Sequence, residues 1–110
     1  MPELPLEISC RDAAAVVAAG EALLVDCRTP EEHAIAAIAG AILIPMQELP
    51  ERLGELAGRE HERIVVHCHH GVRSLQTAHW LRRQGFAAAQ SMAGGIDAWS
   101  QEIDPATPRY

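Results

Sequence analysis

Short apolar runs alternate with helix-like segments along this chain, and that alternation restricts the possible folds more than any other feature. Three of the runs end in charge, proline or cysteine: residues 22–28 (ALLVDCR), 41–45 (AILIP) and 63–68 (RIVVHC). A run that is apolar at nearly every position is typical of a strand buried on both faces of a parallel sheet. Weaker strand patterns at residues 6–8 and 86–92 raise the number of predicted strands to five.

Helix signals occupy the segments between these strands. Ser9 can cap an alanine-rich helix that closes at Gly20. Thr29 at a cap position, followed by Pro30 and by Glu32 three residues after the cap, marks the start of a second helix. Further helical patterns cover residues 46–58, 73–85 and 94–102.

The order of these elements predicts an α/β fold. Because helical segments separate the strands, we expect βαβ units that build a three-layer α/β/α domain around a mostly parallel, five-stranded sheet. Pro50 is expected to interrupt the helical turns of residues 46–58. A chain of 110 residues supports one hydrophobic core, so residues 1–110 are predicted to form a single domain.

Composition argues against several classes of protein. A net charge of -6 leaves no basic stripe for a nucleic-acid partner. No apolar segment approaches the length of about 20 residues that a membrane helix needs, and the N-terminal MPELPLEISC lacks the basic start of a signal peptide. Three cysteines without a CxxC pair indicate free thiols in a reducing compartment. We therefore expect a cytoplasmic protein without nucleic-acid or membrane partners.

The segment CHHGVRS, residues 68–74, combines a cysteine with an anion-binding pattern at the end of a predicted strand. Backbone amides of such a loop, with a helix start behind them, stabilise a thiolate at Cys68. The same amides can hold an oxyanion, Gly71 permits a tight turn, and Arg73 adds a planar charged group. The sequence therefore predicts a nucleophile and an anion cradle in one loop. The alternative is a buried structural cysteine.

The histidines around Cys68 raise the alternative of a zinc or copper site. Side chains alternate along a strand, so Cys68 would point away from His67 and His69, and no second Cys/His pair has finger-like spacing. We therefore predict no metal. His69 and His70 are expected at the rim of the loop, where protonation favours anionic donors.

Three stretches in the same order resemble the rhodanese family of thiosulfate sulfurtransferases. They are CHHGVRS, LLVDCRTPEEHAIAAIAGAILIP with its Asp-x-Arg, and SMAGGIDAWSQ with its Gly-Gly-x-x-x-Trp. The resemblance implies a rhodanese-like fold, no metal or organic cofactor, and a Cys68 persulfide. The persulfide would carry sulfur from a small anion such as thiosulfate to a thiol or cyanide acceptor, with protein thiols among the candidate acceptors. The resemblance also implies these site residues: Cys68 as nucleophile, His69, His70, Gly71, Val72 and Arg73 around the substrate, and Asp26, Arg28 and Ser74 in support.

Two other functions stay open on the sequence. Cell-cycle phosphatases share this fold, but their loop has the form C-x5-R, whereas Cys68 to Arg73 is C-x4-R. The shorter ring of amides fits a single sulfur atom on the thiolate better than a phosphoryl group. A non-catalytic binding or sulfur-relay module is the other alternative, although such inactive relatives usually lack the cysteine.

The chain departs from the rhodanese pattern at two places. Ala36–Ile38 stand where the family usually has Gly-His-Ile, so a histidine is absent. Cys27 stands where an aliphatic residue is usual. Its strand should neighbour that of Cys68, so Cys27 is either a resolving thiol or an inert apolar one.

Four other assignments concern structural roles. Arg28 is expected to pair with Glu31 or Glu32 and brace the second helix, rather than react. Cys10 should be inert. The tail IDPATPRY can dock on its own domain or on another. The remaining expectation is that the two tryptophans, Trp80 and Trp99, anchor the core.

Overall fold

The computed structural model of the chain describes residues 4–110. Residues 1–3, on which part of the argument against a signal peptide rests, lie outside it. The strands are β1 (Glu7–Ile8), β2 (Leu23–Asp26), β3 (Ile42–Leu43), β4 (Ile64–His67) and β5 (Ala89–Met92). The helices are α1 (Cys10–Ala18), α2 (Pro30–Ile35), α3 (Leu49–Arg52), α4 (Val72–Arg83) and α5 (Gly95–Glu102).

The five strands form one parallel sheet in the order β1-β5-β4-β2-β3. Every residue of the central strand β4 is buried, as its continuous apolar run predicts. The weak pattern of residues 86–92 shortens to β5, which lies between β1 and β4 and is also fully buried. The predicted α/β architecture with a five-stranded parallel sheet is confirmed.

Two hydrophobic clusters cover the two faces of the sheet. Side chains that alternate along β4 separate accordingly: Val66 belongs to one cluster, with residues of α4, and Val65 to the other, with residues of α1 and α5. Cys68, two residues after Val66, lies on the same side of the sheet and belongs to the same cluster, with residues of α4. The helices thus form a layer on each side of the sheet.

The helix starts follow the local signals of the sequence. The Ser9 hydroxyl accepts a hydrogen bond from the amide of Asp12, and Thr29 and Glu32 form a reciprocal capping box at α2. Pro50 departs from expectation, because it occupies the first turn of α3, where its missing N–H is not needed, instead of interrupting a helix.

The tryptophans are less enclosed than core anchors would be. Trp80 and Trp99 are both partly buried and pack against opposite clusters. In residues 4–110, no helix has the length and apolar character needed to cross a membrane.

Candidate active site

The ends of β2 and β4 place the predicted site residues together at the carboxyl edge of the sheet. These strands are adjacent and parallel, and their register pairs Asp26 with His67. The residues that follow each strand therefore emerge side by side, Cys27 and Arg28 from β2 and the loop of Cys68 from β4. This edge is where parallel sheets usually carry their chemistry.

The sulfur of Cys68 lies at the centre of the loop that links β4 to α4. The Gly71 amide donates a hydrogen bond to it at 3.0 Å and the Ser74 amide at 3.3 Å, and the Ser74 hydroxyl lies 3.4 Å away. The groups around the sulfur, Cys27 above all and then the hydrogen bonds of Ser74 and Gly71, lower the pKa of Cys68 to about 4, although burial opposes them. Cys68 is therefore a thiolate at neutral pH.

A second serine lies behind the first. The hydroxyl of Ser91, in β5, is 2.7 Å from the hydroxyl of Ser74, and both side chains are buried. When the Ser74 hydroxyl donates to the Cys68 thiolate, its own oxygen can accept a hydrogen bond from Ser91. Ser91 was not predicted as a site residue; a polar residue inside a buried strand was the only signal for it.

Two glycines allow the loop backbone to approach its neighbours. Gly71 has a φ of 104° and caps the N-terminus of α4. Gly95 has a φ of 60°, and a Cβ there would overlap the backbone carbonyls of Cys68 and His69. Those carbonyls accept hydrogen bonds from the first amides of α5, Ile96 at 2.8 Å and Asp97 at 3.1 Å.

Arg73 is held by an acidic residue of α2. Its two terminal nitrogens donate to the two carboxylate oxygens of Glu32, at 2.6 and 2.9 Å. This contact, above all, holds the pKa of Glu32 well below its usual range. The side chain of Arg73 keeps about a third of its surface exposed, at 32%, so an incoming anion would share its charge with Glu32.

Arg28 does not pair with the carboxylate of Glu31 or Glu32, and this prediction is wrong. Its guanidinium is fully buried and donates to both oxygens of Asp26, at 2.9 and 2.7 Å, and to the Ala36 carbonyl at 2.6 Å. Asp26 and Arg28 are two residues apart at the end of β2, so their side chains point to the same side. The two parallel hydrogen bonds from Arg28 to Asp26 are stronger than a contact with an acid of α2. Arg28 nevertheless contacts α2, although not at its start, because it donates to the carbonyl of Glu32 within the helix at 3.4 Å and to that of the C-cap residue Ala36.

Comparison with known proteins identifies the family and the fold. A family model described as a rhodanese-like domain matches residues 9–102. The chain belongs to the rhodanese-like sulfurtransferase family. The human single-domain sulfurtransferase TSTD1 superposes with a TM-score of 0.78 at 28% identity, covering 90% of this chain and 98% of that one.

Two curated relatives have sequences similar to this rhodanese domain. A protein called sulfurtransferase from Allochromatium vinosum is 37% identical over 81 residues, which is 74% of each chain. A chloroplastic rhodanese-like/PpiC domain-containing protein of Arabidopsis thaliana is 36% identical over 93 residues, covering 82% of this chain but 31% of that protein. The chain thus spans under a third of the length of some curated relatives.

The segment that departs from the usual Gly-His-Ile contributes two residues to the core of this rhodanese domain, while Ala37 and Ile38 also line a cavity of about 240 Å³. Ala36 and Ile38 are both buried in the cluster that includes α1 and α5, and the Ala36 carbonyl holds Arg28. Among residues 4–110, no group of three histidine, cysteine or acidic side chains is arranged to hold a metal ion.

The tail docks on its own domain and reaches the rhodanese loop. The ring of Tyr110 stacks on His69 with centroids 3.8 Å apart, and its hydroxyl donates to Glu32 at 2.7 Å and accepts from Arg28 at 2.9 Å. The ring of His70 also stacks on that of His69, with centroids 3.9 Å apart. Both histidines and the 68% exposed Val72 form the rim of the loop. Tyr110 was not predicted to belong to the site.

Proposed function

We propose that this chain transfers a sulfane sulfur from thiosulfate or a related anionic donor to a thiol or cyanide acceptor through a persulfide on Cys68. The observation that carries the proposal is the convergence of the Gly71 and Ser74 amides on the Cys68 sulfur, at 3.0 and 3.3 Å. Such a site stabilises the Cys68 thiolate both when it attacks in the first step and when it leaves in the second, as a two-step transfer requires.

The first step forms the persulfide. The Cys68 thiolate attacks the outer sulfur of thiosulfate, the sulfur–sulfur bond of the donor breaks, and sulfite leaves with the bonding electron pair. Arg73 orients the sulfonate end, in competition with Glu32, while His69, His70 and Val72 line the way to the loop. Asp26 and Arg28 support the neighbouring helix.

The second step returns the sulfur atom. A thiolate or cyanide attacks the outer sulfur of the persulfide, and the Cys68 thiolate leaves. The leaving thiolate is stabilised by the amides of Gly71 and Ser74 and by the Ser74 hydroxyl. The partly apolar rim, with Val72 exposed, supports a protein thiol as one class of acceptor. The free cysteines support a reducing compartment such as the cytoplasm.

Intact-mass measurement tests the persulfide. After reduction and incubation with thiosulfate, the wild-type chain should gain the mass of one sulfur atom, and added cyanide should remove it. Cys68→Ser should gain nothing, whereas Cys10→Val, which removes another buried thiol in the opposite core cluster, should behave as wild type. An unchanged wild-type mass with several anionic donors would contradict the proposal.

Phosphate-ester hydrolysis separates this function from the phosphatase alternative. The loop keeps the C-x4-R spacing, so we expect thiosulfate turnover and negligible hydrolysis of an aryl phosphate. Insertion of one glycine after Gly71 should reduce sulfur transfer by enlarging the ring of amides. Strong aryl phosphate hydrolysis that disappears in Cys68→Ser would instead make Cys68 a phosphatase nucleophile.

A further inference from the structure

Cys27 lies beside Cys68 on the same face of the sheet. The register pairs Asp26 of β2 with His67 of β4, and the Cys27 amide donates to the His67 carbonyl at 3.1 Å. The ladder therefore continues by one residue, which makes Cys27 the neighbour of Cys68 across strands that lie about 4.8 Å apart. Both side chains are 1% exposed and belong to the same core cluster.

The two sulfur atoms have unequal surroundings. Cys68 receives the amides of Gly71 and Ser74 and the hydroxyl of Ser74, all of which favour the thiolate. Within residues 4–110 no backbone amide donates to the Cys27 sulfur, and the nearby carboxylate of Asp26 disfavours its ionisation. One proton shared between these two thiols therefore resides on Cys27.

The charged groups around the pair agree with this placement. From α4, Arg73 interacts favourably with a Cys68 anion, although Glu32 occupies both of its terminal nitrogens. His67 is fully buried, and burial lowers its pKa, so the imidazole beside Cys68 is neutral at pH 7. From α5, the Ile96 amide donates to the Cys68 carbonyl and not to its sulfur, and the Asp97 amide donates to the His69 carbonyl.

We propose that Cys27 is a positioning residue whose protonated thiol donates a hydrogen bond to the sulfur of Cys68 and so holds Cys68 as the attacking anion. A valine at this position would fill about the same space but would donate nothing. The hydrogen bond to Cys68, followed by burial, raises the pKa of Cys27 far above its usual range, as expected for a donor that keeps its proton. Thr77 acts in the opposite direction, because a hydrogen bond from its hydroxyl would lower the pKa of Cys27, but that hydroxyl donates to the Arg73 carbonyl at 2.9 Å.

This inference deepens the proposed function, on which it rests for the use of the anion, but its test does not require sulfur transfer. The rate of alkylation of Cys68 by neutral iodoacetamide, followed by peptide mass from pH 4 to 9, reports the thiolate directly. In wild type the rate should stay level down to about pH 5 and fall below it. In Cys27→Val the midpoint should rise by about one pH unit or more, and the plateau rate should increase because a less stabilised thiolate is a better nucleophile.

Two further variants separate hydrogen bonding from packing. Cys27→Ser retains a donor at the same place and should recover at least half of the shift in midpoint. Cys10→Val removes a buried thiol from the other core cluster and should keep the wild-type midpoint. Thermal unfolding of each variant confirms that it is folded.

Either of two results would overturn the inference. One is a wild-type midpoint in folded Cys27→Val, and the other is the same shift in Cys27→Ser as in Cys27→Val. Failure of the persulfide measurement with a normal wild-type midpoint would instead reject only the proposed function. The hypothesis that Cys27 resolves the persulfide as a redox thiol stays a prediction.

Discussion

At the scale of single residues, the two arginines of the site differ in what surrounds their guanidinium groups. Arg28 is fully buried and satisfied by Asp26 and by backbone carbonyls, so it serves the structure. Arg73 is partly exposed in the helix that follows the Cys68 loop, and among residues 4–110 its two terminal nitrogens bind a carboxylate of α2. The same side chain is therefore a structural brace in one place and, under the proposed function, an anion-binding group in the other.

Removal of Arg73 should weaken the use of thiosulfate more than it affects Cys68 itself. In Arg73→Ala, KM for thiosulfate should rise about tenfold or more, because a charge-assisted contact is lost. Alkylation of Cys68 by iodoacetamide at pH 8 should stay within about twofold of wild type, since the backbone amides remain. Arg73→Lys should restore only part of the thiosulfate affinity that Arg73→Ala loses. Equal thiosulfate kinetics in wild type and Arg73→Ala would show that the backbone alone holds the anion.

Removal of Asp26 should be costly, because it leaves the Arg28 charge buried without its partner. We expect Asp26→Asn to lower the free energy of unfolding in urea by about 3 to 5 kcal/mol at pH 7. The matched control is Glu48→Gln, which breaks a surface ion pair with Arg52 at 3.3 Å and should cost less than about 1 kcal/mol. Similar losses in the two variants would contradict the structural role of the buried pair.

At the scale of elements, the turn from β5 into α5 supports the active loop from behind. The first amides of α5 bind the carbonyls of Cys68 and His69, and Gly95 lets the two backbones come together. Gly71 makes the same kind of approach from the loop, because a Cβ there would lie 3.2 Å from the Gly94 amide nitrogen. The Gly-Gly signature and the cysteine loop are thus two halves of one backbone arrangement.

A methyl group at Gly95 should disturb sulfur transfer from a position outside the loop. Gly95→Ala combines a positive φ with an overlap on backbone atoms, so we expect a loss of stability of about 2 kcal/mol or more and a lower persulfide-forming rate. Gly54→Ala is the control, because nothing lies within 4 Å of a Cβ there. Wild-type rates of persulfide formation in Gly95→Ala would show that α5 does not shape the loop.

At the scale of the whole molecule, Glu32 connects segments that are far apart in the sequence. It caps α2 through Thr29, binds Arg73 of α4 and accepts a hydrogen bond from Tyr110. Tyr110 in turn contacts Arg28 and His69. The tail, the second helix and the active loop therefore share one set of hydrogen bonds at the carboxyl edge of the sheet.

Acid should weaken the folded chain through its carboxylates. The hydrogen bonds of Arg73 lower the pKa of Glu32. At Asp26 burial raises the pKa, but Arg28, His67 and His33 together outweigh it, so both acids have folded-state pKa values below their unfolded ones. Their contribution is complete above the unfolded values and is lost as the pH falls below them. Urea unfolding should therefore show a lower free energy at pH 3 than at pH 7, with a loss smaller by about 1 kcal/mol in Glu32→Gln. An identical loss in wild type and Glu32→Gln would exclude Glu32 from the effect.

The sequence by itself determined the elements and the class of the fold. Continuous apolar runs, the Thr29 capping box and the glycine-containing loop after β4 are local signals, because strand burial, helix capping and turn geometry depend on residues a few positions apart. For the same reason the position of Cys68 between a strand and a helix start followed from the order of residues alone. The resemblance carried by three motifs led to the family that the comparison confirms.

Only the tertiary structure decided which partners the site residues have. Arg28 binds Asp26 rather than the acids of α2, and Glu32 binds Arg73. Ser91 contacts Ser74 of the loop, 17 residues earlier in the chain. Tyr110 contacts His69, 41 residues earlier, as well as Glu32. These pairings depend on strand order, on register and on the side of the sheet to which each chain segment returns. Cys27 met Cys68 because β2 and β4 are neighbours whose register brings residues 27 and 68 level, and that alignment is a property of the packed sheet.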